Sequence, residues 1–185
     1  MSKISKKMCM IGDFGVGKTS LIRRFVEREF SDRYLSTVGV KISRKTVELT
    51  DVEARGDVSL QLLIWDLEGH TKFKAIAPSY LQGSSGALVV ADLTREETVD
   101  RIDEHIKLFA SVNKSGSVAI ALNKTDLVEP EKLPMLLGIA KASLDRLSEA
   151  ERSRAIATFT TSAKTGKDVD SIFEKLSYTM LESAK

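Results

Sequence analysis

Gly12-Asp13-Phe14-Gly15-Val16-Gly17-Lys18-Thr19 fills every fixed position of the pattern G-x-x-x-x-G-K-[ST], and its flanks decide the fold. In front stands the apolar run Met8-Cys9-Met10-Ile11, which reads as a buried strand. Behind it, Ser20 to Phe30 places Leu21, Ile22, Phe25 and Val26 along the inner side of a helix. A strand, a glycine loop and a helix in that order cradle a phosphate chain. The glycines let backbone N–H groups turn inward, and the helix N-terminus contributes the positive end of its dipole. Lys18 adds a full charge, and the Thr19 hydroxyl offers a ligand to Mg²⁺. Nucleotide contacts are therefore assigned to Asp13, Phe14, Gly15, Val16, Gly17, Lys18, Thr19 and Ser20. The loop alone leaves the base unnamed.

Further along, Leu60 to Trp65 is a dense apolar run ending in Asp66-Leu67-Glu68-Gly69-His70. An acid at the carboxyl end of a strand stands where ligands sit in open α/β sheets, so Asp66 is placed to hold magnesium through water, opposite Thr19. Gly69 lets its backbone N–H approach a γ-phosphate. The next diagnostic stretch, Asn123-Lys124-Thr125-Asp126, follows the buried strand Val118 to Leu122. A carboxylate at Asp126 accepts from both N1–H and the 2-amino group of guanine. Adenine offers an acceptor at N1 and no amino group beside it, so the wrong base leaves a desolvated charge unpaired. Lys124 can lay its aliphatic stem over the ring, and Asn123 can tie this loop to the phosphate loop. After a last strand, Ala155 to Thr160, the turn Thr161-Ser162-Ala163-Lys164 brings the Ala163 N–H within reach of guanine O6.

Between these landmarks, Phe30 to Gly39 is a polar surface loop and Val40 to Leu49 an alternating strand, with Thr50 to Ser59 a polar link in which Gly56 makes the turn. Thr71 to Leu81 reads as a short helix broken at Pro78, and Gly86 to Ala91 as a buried strand ending at Asp92. Glu96 to Val112 reads as one amphipathic helix. Pro130 and Pro134 bracket the start of a helical region running to about Arg154, and Val169 to Leu181 closes the chain as a helix. His105 has no acid-plus-nucleophile company and reads as structural or surface.

The 185 residues make one domain, and a net charge of +2 gives no argument for nucleic acid. Lys3, Lys6 and Lys7 read as a solvated tail. Cys9, the one cysteine, is a core residue without an internal disulfide partner, which fits the cytoplasm. No apolar run is long enough to cross a membrane, and Leu181 to Lys185 carries no cysteine to prenylate.

Together these residues resemble the small GTPases of the Ras superfamily, most closely the Rab branch, through Gly12 to Thr19, Tyr34 to Gly39, Trp65-Asp66 with Gly69, Asn123 to Asp126, and Thr161 to Lys164. The resemblance implies an α/β P-loop fold: a six-stranded, mostly parallel sheet flanked by helices. It also implies a monomeric switch that binds GTP or GDP with Mg²⁺ and meets effectors, exchange factors and activating proteins through two loops. It places Phe30 on the guanine edge, Tyr34, Ser162 and Lys164 around the nucleotide, and Thr37 on Mg²⁺ and the γ-phosphate, with Asp66 to about Tyr80 as the second switch. Catalysis would fall to Lys18, Thr37, Gly69 and His70. The chain departs from the family at Phe14, where a small residue is usual, at Glu68 in place of alanine, and at His70 in place of glutamine. Those departures point to slow hydrolysis, or to a scaffold that binds nucleotide without turnover. An ATP-dependent kinase or transport ATPase shares the phosphate loop but has no use for Asn123 to Asp126.

Overall fold

A computed structural model of the chain describes residues 2–33, 36–67, 69 and 77–182. Six strands form one sheet in the order β2-β3-β1-β4-β5-β6. They are β1 (Ser2–Ile11), β2 (Val40–Val52), β3 (Gly56–Leu67), β4 (Gly86–Asp92), β5 (Ser117–Asn123) and β6 (Ala155–Thr160). Only β2 runs antiparallel to its neighbour, β3; every other pairing is parallel. The helices are α1 (Lys18–Glu27), α2 (Ala77–Leu81), α3 (Glu96–Asp100), α4 (Ile102–Val112), α5 (Leu133–Asp145), α6 (Glu149–Arg152) and α7 (Val169–Glu182). The strand order reverses at β1, and a crevice opens at the carboxyl ends of strands where that happens. The glycine loop occupies that place.

Alternation along β1 assigns the two layers. Met8 and Met10 face the core under α1 and α7, which also holds Leu62, Ile64, Leu21 and Phe173. Cys9 and Ile11 face the opposite core with Val89, Ile106, Phe109 and Ile120. Phe25 of α1 stacks on Phe173 of α7 with ring centroids 4.1 Å apart, locking the helix behind the phosphate loop against the last helix. β4 and β5 are buried throughout, as strands covered on both faces must be.

The structure corrects the sequence reading in several places. Thr50 to Ser59 is not a long polar link: strand pairing continues to Val52 and resumes at Gly56. Burial explains this, since Leu49, Val52 and Val58 are almost completely enclosed. A bulge between Leu49 and Val52, with Asp51 at φ 54°, returns Val52 to the core face. Tyr178 Oη on α7 both donates to Thr50 O (3.0 Å) and accepts from Thr50 N (3.2 Å). Lys3, Lys6 and Lys7 belong to β1 rather than to a tail, because the lengthened β3 gives them a partner strand. Lys7 Nζ donates to Tyr80 O at 2.6 Å and lies 4.0 Å from the centroid of the Trp65 ring.

The expected helix over 96–112 breaks at Arg101 (φ −93°, ψ 12°) into α3 and α4. Pro78 sits in the first turn of α2, where its missing N–H costs no helical bond; residues 71–76 lie outside those described. The region from Pro130 divides into a 3₁₀ turn, α5, and α6 with a Ser148–Glu151 capping box.

If the hairpin extension is core rather than ornament, Leu49→Ala should lower unfolding stability by about 2–5 kcal/mol in urea titrations. A loss below about 1 kcal/mol, the range of ordinary surface changes, would count against it.

Candidate functional site

The glycine loop is built by disposing of its own carbonyls. Lys18 Nζ donates to Gly12 O and Asp13 O, both at 2.8 Å, and Arg95 Nη1 donates to Phe14 O at 2.8 Å. Lys124 Nζ donates to Gly15 O and Asn123 Nδ2 to Val16 O, both at 3.0 Å, while Leu21 N donates to Gly17 O. With successive carbonyls so engaged, N–H groups are what the loop has left to offer a ligand, the arrangement that suits an anion. Gly17, at φ 104°, is the N-cap of α1, and a Cβ there would strike Asn123 Nδ2, so the close approach of the two loops requires glycine.

Burial pushes the Lys18 ammonium down to about 8 against the pull of Asp66 and Asp13. The sign follows from linkage. The unfolded chain, with an ordinary lysine near 10.5, binds more protons between the two values, so nucleotide-free protein should gain stability as pH rises from about 8 to 10.5. We expect a gain on the order of 2–3 kcal/mol over that window in the parent relative to Lys18→Met, read from urea melts. A loss in the same comparison would refute the assignment.

Beside the loop, three oxygens converge. Thr19 Oγ1 donates to Asp66 Oδ2 at 2.5 Å and lies 2.7 Å from Thr37 Oγ1, which is itself 3.4 Å from Asp66 Oδ2. Asp66 Oδ1 is buried with no hydrogen-bond partner among the described residues. Burial pushes the Asp66 carboxyl up, partly offset by the Thr19 hydroxyl and Lys18. An orphaned carboxylate oxygen with two hydroxyls beside it fits a hard divalent cation of the magnesium kind, which takes one or two protein carboxylates and completes its shell elsewhere. Gly69 closes the same corner: a Cβ there would sit 2.6 Å from Phe14 N and 2.7 Å from Lys18 Nζ.

At the other end, Lys124 adopts the left-handed conformation (φ 64°), and its Nζ pairs with buried Asp92 Oδ2 at 2.7 Å. Asn123 Oδ1 accepts from Thr161 Oγ1 (3.2 Å) and Ala163 N (3.3 Å), and Asp126 Oδ1 accepts from Ser162 Oγ at 2.6 Å. Arg24 of α1 donates to Ala163 O and Lys164 O.

The resulting cleft of about 740 Å³ is large enough for a nucleotide. Of the residues expected at the site, it is lined by Phe14, Gly15, Gly17, Lys18, Thr19, Ser20, Phe30, Thr37, Gly69, Asn123, Lys124, Asp126, Ala163 and Lys164. Asp66 lies buried behind Thr19, and Ser162 lies buried beneath Asp126. Val16 is in the core. The Asp13 side chain turns away to Arg101 Nη2 (2.9 Å) and His105 Nε2 (3.4 Å). Tyr34, Glu68 and His70 lie outside the described residues. Sequence reasoning missed Arg24, Asp92, Arg95 and Arg101, and it left His105 without a partner. No local pattern marks any of them, because their contacts span tens to more than a hundred positions of chain.

Residues 7–182 match the Ras family. The chain belongs to that family. Among its relatives, this Ras-family chain is 34% identical to the Ras-related protein Rab-13 of Bos taurus over 176 residues, 95% of its own length and 79% of that protein's. It is 33% identical to Ras-related protein Rab-22A of Homo sapiens over 172 residues, 92% of its length and 81% of the relative's. Ras-related protein Rab-31 of Mus musculus is 32% identical over 172 residues, covering 92% and 80%. The Ras-family chain is a guanine-nucleotide-binding switch that hydrolyses GTP, and the readings as inert scaffold or ATP-dependent enzyme are not favoured. The family as a whole works with Mg²⁺ and with regulators and effectors. Among the described residues, no helix is long and apolar enough to cross a membrane.

Proposed function

We propose that residues 1–185 form one GTPase domain whose nucleotide lies along the cleft, phosphates on the glycine loop and base between Lys124 and the 162–164 turn. Thr19, Thr37 and Asp66 would hold Mg²⁺. The observation that carries this reading is the meeting of Thr19 and Thr37 hydroxyls on Asp66, because it joins the phosphate loop, the 30–39 loop and the end of β3 at one point. Bound there, Mg²⁺ would neutralise charge on the phosphate oxygens. Lys18 supplies a second cation, the N–H groups of the loop and of Gly69 receive the terminal phosphate oxygens, and Phe30 and Asp126 hold the base. Tyr34 contacts the nucleotide and His70 orients water, both on the strength of the family resemblance alone.

Hydrolysis is slow in this reading because Phe14 lines the cleft where the family places a small residue. The chain acts as a monomer in the cytoplasm, binding regulators through the loop around Thr37 and the segment from Asp66 to Tyr80. Hydrogen exchange tests the switch: both segments should be more protected with a GTP analogue than with GDP, since a ligand moves an equilibrium only through contacts that differ between states. Identical profiles in the two states would sink it.

A further inference from the structure

We propose that Arg24 is a positioning residue for guanine recognition, aiming the backbone N–H of Lys164, in the 162–164 turn, at the 6-keto oxygen of the base. The inference rests on the reading that the base lies against the 162–164 turn, and it adds a determinant from a different part of the chain. Arg24 stands on α1, the helix that begins at the phosphate loop, and its half-buried guanidinium spans to the turn from behind. Nε donates to Ala163 O at 2.7 Å, and Nη2 donates to the next carbonyl, Lys164 O. One planar fork thus grips consecutive peptides, a geometry the point charge of a lysine cannot reproduce.

Across a trans peptide the C=O and the following N–H point in opposite directions. Holding Ala163 O from the α1 side therefore turns the Lys164 N–H the other way, and both residues line the cleft. The peptide preceding Ala163 is pinned as well: Ser162 O accepts from Gly166 N at 2.8 Å and Ser162 N donates to Lys167 O at 3.1 Å. The Ala163 N–H belongs to that preceding peptide and rests 3.3 Å from Asn123 Oδ1, so the N–H that Arg24 orients directly is that of Lys164. Asp126, tied to Ser162 Oγ, reads the N1–H and 2-amino groups beside O6 and has no contact with Arg24 among the described hydrogen bonds. The two halves of base recognition are therefore separable by mutation.

The test compares GDP with 6-thio-GDP, in which sulfur, a weaker acceptor, replaces O6 while N1–H and the 2-amino group remain for Asp126. Affinities are measured in Mg²⁺ buffer on the full chain, with thermal melts alongside. The parent should prefer GDP. Arg24→Ala should weaken GDP by about tenfold and 6-thio-GDP by about threefold or less, so the preference shrinks, while Arg24→Lys, with one donor group in place of a fork, should fall between. A merely structural role predicts equal losses for both nucleotides, and that result, or an unchanged GDP affinity in a folded Arg24→Ala, overturns the proposal. If Arg24→Ala does not fold, the same comparison on Arg24→Lys decides, equal losses again overturning it. A parent indifferent to the O6-to-sulfur change would instead overturn the base contact itself, and the proposal with it.

Discussion

Asp126→Asn should lose GDP by about 10³-fold or more and gain xanthosine diphosphate, turning a guanine protein into a xanthine one. A carboxylate only accepts, and guanine presents two donors at N1 and the 2-amino group; an amide can donate, and xanthine carries an oxygen where the amino group was. Sites built around such pairing separate ligands by about 10⁴ to 10⁵, because the wrong partner strands buried polar groups. The structure adds a reason to expect the full effect. Ser162 Oγ holds Asp126 Oδ1 at 2.6 Å, so the carboxylate meets the base already oriented, and little ordering is left for binding to supply. Ser162→Ala should accordingly cost GDP affinity by a smaller factor, without reversing base choice. Equilibrium competition among GDP, ADP and xanthosine diphosphate measures all of this, and a GDP affinity unmoved by Asp126→Asn would remove Asp126 from the site.

The fold was legible in the sequence where the chain must satisfy a local rule. The glycine loop sits between a buried strand and a helix, each apolar run between turns became a strand of the parallel sheet, and the acid or amide at each strand end arrived at the crevice. Legibility failed where burial was decided by something distant. Val52 and Val58 stand among polar neighbours and read as link, yet α7 covers them and strand pairing follows. The lysines before Met8 look like a tail until β3 is seen to run alongside.

The supports of the phosphate loop were hidden for the same reason. Asp13 looks like a nucleotide residue from its motif, but Arg101 and His105 turn its side chain toward the junction of α3 and α4. Arg95 stands one residue before the expected helix over 96–112, and nothing local to it announces its bond to Phe14 O. A carbonyl has no sequence signature, so donors that serve carbonyls are seen only in the folded chain.

Phe14→Gly should raise the response to an activating partner's arginine more than any other single change, since such an arginine is worth about 10³ to 10⁵ in rate and works only if it reaches the terminal phosphate. In this chain the approach is narrowed from two sides. Gly69 packs on the backbone of Phe14, leaving no room for a Cβ, and Arg95 fixes the Phe14 carbonyl at 2.8 Å, so the peptide that carries the ring cannot swing away. Phe14 lines the cleft, and with its backbone held only its own side-chain torsions are left to move the ring. In the proposed function His70 would act on a different term, the placing of water, where imidazole has a shorter reach than glutamine and a donor pattern set by its tautomer. The expected result is a slow parent, a Phe14→Gly variant whose intrinsic rate rises modestly but whose stimulated rate rises by about 10² or more, and a further gain in the Phe14→Gly, His70→Gln double variant. Single-turnover hydrolysis, with and without the activating protein captured on GTP-analogue-loaded chain, separates these terms. A parent as fast as the double variant in both conditions would show that the ring obstructs nothing.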